Sequence, residues 1–131
     1  MDQIRWARGT AFVVFLCLVT AASAQDYPTR PIVLLVPFAA GGPTDIVARS
    51  LGQVMGKALN QTIIVENAVG AGGTIAPTKL KNSAPDGYTL LVAHIGMSTA
   101  PALYKTLPFN PVDDFEHIGQ VVDVQIGRAH V

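Results

Sequence analysis

Hydrophobic residues occur along the chain in two patterns, and each pattern predicts a type of element. The run Ile32–Val36 is apolar without alternation, which predicts a strand buried on both faces, as in a parallel sheet. Short runs over residues 62–66 and 89–93 predict two further strands. Between the first two runs, apolar residues recur at steps of three and four, which predicts a helix over residues 43–59.

The rest of the chain continues this alternation of strands and helices. A second helix is predicted to begin after Thr74, whose side chain can cap it, and a third to begin at a Ser98 or Thr99 cap. The apolar positions of residues 116–124 predict a fourth strand. The order β-α-β-α-β-α-β indicates an α/β fold with a mainly parallel sheet and right-handed crossovers.

Each of the first three predicted strands is followed by a turn that leads into a helix. We call residues 37–44 the first turn, residues 69–74 the second turn and residues 94–99 the third turn. Ligands of open parallel sheets bind beyond the carboxyl ends of the strands, where all three turns lie. Two of the turns are rich in glycine, and the exposed amides of two helix N-termini could hold one or two carboxylates. The alternative is that the glycines only form tight turns between packed elements.

Composition and charge narrow the classes of function. Half of the 131 residues are hydrophobic and 14% are charged, so a disordered chain is not expected. The formal net charge is zero and no basic block occurs, which argues against nucleic acid as a partner. Residues 25–125 contain six basic and eight acidic residues, so an anion must be held by local dipoles and not by a basic surface.

Both ends of the chain are predicted to lie outside the folded domain. Residues 1–24 have the form of a cleavable secretory signal, with arginines before an apolar run and a small-residue cleavage site ending at Ala24. The apolar run is shorter than the ~20 residues of a membrane span. Cleavage removes Cys17, the one cysteine, and with it any disulfide or Cys-based site. Residues 126–131 match the translated start of a common sequencing adapter, so residues 25–125 are predicted to be the natural domain, truncated at its end.

Several polar residues have both a functional and a structural interpretation. Asp45 could contact a ligand amino group or a water, or could be an acid favourably placed in the first turn of a helix. Arg49 fits a solvated or ion-paired side chain, and His94 fits a polar ligand contact or a structural turn residue. The spacing of the acidic segment 113–117 predicts a solvated loop and no metal site. The chain has no dinucleotide fingerprint, P-loop or nucleophile elbow, so no catalytic residue is predicted.

Five motifs together resemble one protein family. They are residues 27–32 (YPTRPI), 36–45 (VPFAAGGPTD), 65–67 (VEN), 70–73 (GAGG) and 85–90 (PDGYTL). In order and spacing they resemble the Bug proteins, the substrate-binding receptors of tripartite tricarboxylate transporters. The resemblance implies a periplasmic binding protein-like fold of type II, with three αβα layers, of which only the first of two domains is present.

The resemblance also implies a function. It implies a monomeric, non-enzymatic periplasmic receptor, without a cofactor, that captures a small organic anion such as a di- or tricarboxylate and delivers it to membrane permease subunits. The ligand-facing residues carried over by position are Phe38, Ala39, Gly41, Gly42, Thr44, Asp45, Gly70, Ala71, Gly72, Gly73 and Ser98. The alternative is a secreted α/β enzyme that uses the same turns to hold a small anionic substrate.

Overall fold

A three-stranded parallel sheet forms the centre of the fold. The computed structural model describes residues 27–123. Strands β1 (Ile32–Val36), β2 (Ile63–Asn67) and β3 (Thr89–Leu91) pair in the order β2-β1-β3, and both pairings are parallel. The predicted signal segment and adapter tail lie outside the described residues.

The central position of β1 explains its continuous apolar sequence. Ile32, Leu34, Leu35 and Val36 are each at most 2% exposed, so both faces of the strand are covered. A strand paired on both edges and covered on both faces has no solvent side on which polar residues could alternate. The prediction of a strand buried on both faces is therefore confirmed, and the structure adds that β1 is the central strand.

Three helices follow the three strands. They are α1 (Pro43–Leu59), α2 (Ile75–Lys81) and α3 (Ile95–Leu103), and a 3-10 turn at Ala71–Gly73 precedes α2. The buried Ala48 of α1 packs with Leu34 and Val36 of β1 in the core. The chain crosses from β1 to β2 on one side and from β2 back past β1 to β3 on the other. Right-handed crossovers therefore put α1 and α2 on opposite faces of the sheet, which gives the predicted α/β layering.

The structure differs from the predicted elements in places where the apolar signal is short. Strand β2 begins one residue later than predicted and includes Asn67, and β3 ends two residues earlier, at Leu91. The predicted fourth strand is absent from residues 116–123, the part of that segment that the structure describes. Ile118 is 83% exposed there, and the segment pairs with neither β2 nor β3, the two edge strands of the sheet.

Candidate functional site

The three turns meet at the carboxyl edge of the sheet. The rings of Phe38 and His94, from the first and third turns, lie with their centroids 4.5 Å apart. Gly73 of the second turn lies against both, because a Cβ added to it would be 3.3 Å from His94 Nε2 and 3.8 Å from Phe38 Cζ. The same Cβ would be 3.6 Å from Pro37 Cβ. A Cβ at Gly73 would therefore meet Pro37 and Phe38 at ordinary contact distances but would press on His94 Nε2.

A small pocket opens at this meeting point. Pro37 lines it from the first turn, and Gly72 and Gly73 line it from the second. His94 and Gly96 line it from the third turn, and apart from Thr74 the remaining walls are apolar. Of the residues carried over from the family resemblance, Gly72 and Gly73 are the two that line the pocket itself.

A buried carboxylate holds the first turn in place. Asp45 is 1% exposed, and its Oδ2 accepts hydrogen bonds from the Gly41 amide and from Arg49 Nε, both at 2.8 Å. Its Oδ1 accepts from Asn67 Nδ2 at 2.9 Å, and the same Nδ2 donates to the carbonyl oxygen of Phe38, also at 2.9 Å. These hydrogen bonds connect the end of β2 to the first turn and to the N-terminal part of α1. We call Asp45, Arg49 and Asn67 the Asp45 cluster.

The electrostatics of this cluster keep Asp45 ionised. The hydrogen bonds from Arg49, from the Gly41 amide and from Asn67 hold the pKa of Asp45 well below its usual range, in that order of importance. The same contact raises the pKa of Arg49 above its usual value. The Asp45 side chain is thus occupied by protein partners, and the sequence-based interpretation of Arg49 as ion-paired agrees with the structure.

The N-terminus of α1 carries amides that the protein itself leaves open. Its N-cap residue is Gly42, which has no side chain to accept a hydrogen bond, and Pro43 has no N–H. The first amide to bond back along the helix is that of Ile46, to the Gly42 carbonyl at 3.0 Å. Within residues 27–123, the amides of Thr44 and Asp45 have no hydrogen-bond acceptor. The half-buried Thr44 is the more accessible of the two, since Asp45 is buried.

The second turn is held by its own backbone. Ala71 adopts φ 46°, a left-handed conformation that costs an L-residue roughly 1–2 kcal/mol. The Gly73 amide donates to the Gly70 carbonyl at 2.9 Å, and the Tyr104 hydroxyl donates to the Ala71 carbonyl at 3.3 Å. Strained residues of this type cluster at ligand sites, where the surrounding structure maintains them.

Thr74 does not cap α2 in the predicted way. It occupies the N-cap position, but its side chain accepts no cap hydrogen bond. Its hydroxyl instead donates to the Ala71 carbonyl at 2.9 Å, because the 3-10 turn brings that oxygen within reach. The cap prediction was therefore wrong, and α2 begins without a side-chain cap, as α1 does.

The third turn is capped by a residue that the sequence did not single out for this role. His94 is the N-cap of α3, and its Nδ1 accepts a hydrogen bond from the Gly96 amide at 2.9 Å. The predicted caps were wrong, because Ser98 and Thr99 lie inside α3, and the Thr99 hydroxyl donates back to the Gly96 carbonyl at 3.3 Å. Ser98 is the fourth residue of α3, where it is exposed and lines no part of the pocket.

The other residues carried over from the resemblance lie in the first two turns, as expected. Ala39 and Gly41 are exposed, Phe38 is half-buried against His94, and Gly70 begins the 3-10 turn as its N-cap. Sequence reasoning missed the structural role of Asn67, although the residue stands in one of the family motifs. Its only sequence signal is a polar side chain at the end of a buried strand.

The chemistry available at this site is that of hydrogen-bond donors. Backbone amides and the positive ends of helix dipoles bind oxyanions without a neighbouring cationic side chain. No group of three or more His, Cys, Asp or Glu side chains in residues 27–123 is arranged to hold a metal ion. No helix in this part of the chain is long and apolar enough to cross a membrane.

Solved structures resemble this chain in both fold and sequence. The periplasmic binding protein BugD is 54% identical with a TM-score of 0.67, over 69% of this chain and 30% of BugD. MatC from Rhodopseudomonas palustris, solved with bound malate, is 49% identical with a TM-score of 0.66, over 68% of this chain and 31% of MatC. The chain thus shares its fold with part of these periplasmic binding proteins.

Sequence comparison narrows this class to one family. The profile of the tripartite tricarboxylate transporter family receptors matches residues 47–128, and the chain belongs to that family. A curated relative from Agrobacterium vitis is 47% identical over 79% of this chain and 30% of its own length. The chain spans about a third of the length of the curated relatives it matches.

Proposed function

We propose that this chain forms the N-terminal part of a two-domain periplasmic receptor that captures a small organic anion, a di- or tricarboxylate or a similar acid. The observation that carries the proposal is the open N-terminus of α1. Thr44 and Asp45 present two amides without acceptors within residues 27–123, and neither Gly42 nor Pro43 can cap them. Such a helix end is an anion site built from backbone alone.

The charge distribution supports an anion that is held locally. Residues 25–125 carry two more acids than bases, so the surface as a whole does not attract anions. Arg49 is paired with Asp45 and is therefore not free to hold the anion. Each helix end contributes roughly 0.3–1 kcal/mol when exposed and up to ~2 kcal/mol when partly buried. A carboxylate that reaches the ends of both α1 and α2 gains from two such dipoles.

The proposed ligand class and cellular role extend the family membership. MatC, a neighbour with the same fold, was solved with malate, a dicarboxylate. We propose that residues 1–24 direct the protein to the periplasm and are removed there, and that the loaded receptor delivers its acid to membrane permease subunits. In this proposal residues 25–125 supply one side of the ligand cleft and a second domain supplies the other.

The test is a binding assay on the protein extended to the length of its relatives and lacking residues 1–24. Its melting temperature is measured with malate, citrate, adipate and an uncharged diamide control. A receptor gains about 2.7 kcal/mol at a ligand concentration of 100 Kd, and the shift grows with ligand excess. Mass spectrometry checks that the acid is recovered unchanged. No shift with any acid would overturn the anion-receptor proposal, and a chemically altered acid would favour the enzyme alternative.

A further inference from the structure

His94 is held in a single orientation by contacts on three sides. Its Nδ1 accepts the hydrogen bond from the Gly96 amide at 2.9 Å, and its ring lies 4.5 Å from that of Phe38. Gly96 leaves space for the ring, because a Cβ at that position would overlap the imidazole. The ring therefore cannot turn without losing the cap of α3 or its contact with Phe38.

The cap determines which nitrogen carries the proton. A neutral imidazole has one donor nitrogen and one acceptor nitrogen. Since Nδ1 accepts from the Gly96 amide, the proton of the neutral ring is on Nε2. Burial lowers the pKa of His94, which favours this neutral form at physiological pH.

The Nε2 donor points to the meeting place of the three turns. It lies 3.3 Å from the position that a Cβ of Gly73 would take, and His94 lines the pocket. Within residues 27–123, His94 Nε2 makes no hydrogen bond to another residue. No unpaired side-chain nitrogen or oxygen in that range is fully buried, so Nε2 is accessible from outside the protein. The Nε2–H group is therefore an open donor at the surface of the pocket.

We propose that His94 is a ligand-binding residue, whose Nε2–H donates a hydrogen bond to an oxygen of the bound acid. The inference rests on the proposed function, and it assigns the third turn a different role from the first two. The open amides of α1 supply positive dipole charge, whereas α3 has its N-terminus capped by its own histidine and supplies a neutral, directional donor in its place. Such a donor favours acids that present a carboxylate or hydroxyl oxygen towards the pocket and disfavours analogues with an apolar group there.

The cap and the donor can be separated by substitution. His94→Asn places a side-chain oxygen near the position of Nδ1, and asparagine is a favoured N-cap residue, but it does not reach the position of Nε2. Calorimetry on the extended protein measures Kd for malate, citrate and adipate. For an acid that the wild type binds, we expect a Kd about tenfold higher in the variant, as for the loss of one hydrogen bond, and a melting temperature close to the wild-type value. An unchanged Kd in a folded variant would overturn the proposal.

A second pair of variants tests the donor with the loss of the cap held constant. His94→Gln and His94→Met have similar length and both lose the histidine cap, but only glutamine carries a donor. The glutamine variant should bind the acid several-fold more tightly than the methionine variant, and equal Kd values would overturn the role of Nε2. Failure of the wild type to bind any acid would instead overturn the receptor proposal, and with it this inference.

Discussion

The first and second turns occupy equivalent places at one sheet edge but are held by different means. In the first turn, a buried carboxylate and an amide side chain from β2 fix the backbone through the Asp45 cluster. In the second turn, the backbone fixes itself through left-handed residues such as Ala71 and through a bond from the Gly73 amide to the Gly70 carbonyl. Substitutions in the first turn should therefore act through lost side-chain partners, and those in the second through backbone strain and bulk.

The largest loss of stability is expected from Asp45→Asn. The carboxylate accepts from three donors, and an asparagine amide would turn one of its ends, itself a donor, towards one of them. We therefore expect the melting temperature of this variant to fall further than that of any glycine or His94 variant. Affinity for an acid that the wild type binds should fall by roughly tenfold to a hundredfold, as when a residue that orients a metal ligand is removed.

The matched control is Asp86→Asn. Asp86 pairs with Arg30 at 2.7 Å, but both side chains are exposed, and exposed ion pairs contribute little. The control should keep wild-type affinity and nearly wild-type stability. If the two substitutions had the same effect, the Asp45 cluster would not be what fixes the first turn.

The next largest loss of stability is expected from Gly73→Ala. Gly73 has φ 90°, so any side chain is strained by roughly 1–2 kcal/mol, and the added Cβ would lie 3.3 Å from His94 Nε2. Binding should be weakened because the added methyl group presses on His94 Nε2 and occupies space beside the pocket. Chemical denaturation measures the loss of stability, and calorimetry with an acid that the wild type binds measures the loss of affinity.

Gly41→Ala separates strain from bulk. Gly41 has φ 82°, but a Cβ there has no heavy atom within 4 Å. The two variants should therefore lose similar stability, while Gly41→Ala retains much more of the affinity. Equal loss of affinity would show that strain alone accounts for the effect at Gly73.

A smaller change in stability is expected when pH alters the protonation of His94 in the third turn. Burial lowers the pKa of His94 in the folded protein, whereas the unfolded ring takes up a proton near pH 6.5. Stability should therefore fall as the pH drops below about 6.5, until the lower folded pKa is reached. Denaturation curves between pH 7.5 and 5 should show this fall in the wild type and a weaker one in His94→Asn. An unchanged slope would contradict neutral burial of this ring.

Sequence patterns predicted the core of the fold better than its edge. The bounds of β1 and α1 agree with the structure, because a strand buried on both faces and a 17-residue amphipathic helix give long signals. The length of β3 and the fourth strand were wrong, because a short apolar run does not reveal whether a pairing edge is available. The positions of the three turns at one sheet edge followed from the strand order alone.

The site was less predictable because its contacts are not local. The hydrogen bond between Asp45 and Asn67 joins residues 22 positions apart, and no periodicity reports it. His94 was passed over as a cap because serine and threonine are commoner in that role, and both follow within five residues. The left-handed conformation of Ala71 had no sequence signal, since alanine rarely adopts it.

The smallest effect on stability is expected from Gly42→Ser, which gives the first turn the side-chain cap that it lacks. Gly42 has φ −76° and ψ 168°, the extended conformation of a capping residue, and serine there can accept from the open amides of α1. Stability should rise by a few tenths of a kcal/mol relative to glycine. Affinity for an acid that the wild type binds should fall, because the new hydroxyl competes with that acid for the same donors. Gly42→Ala is the control, since it brings the same Cβ to 3.3 Å from the Ala39 carbonyl oxygen without a cap. If the serine variant bound that acid as tightly as the alanine variant, the amides of Thr44 and Asp45 would not be the anion donors.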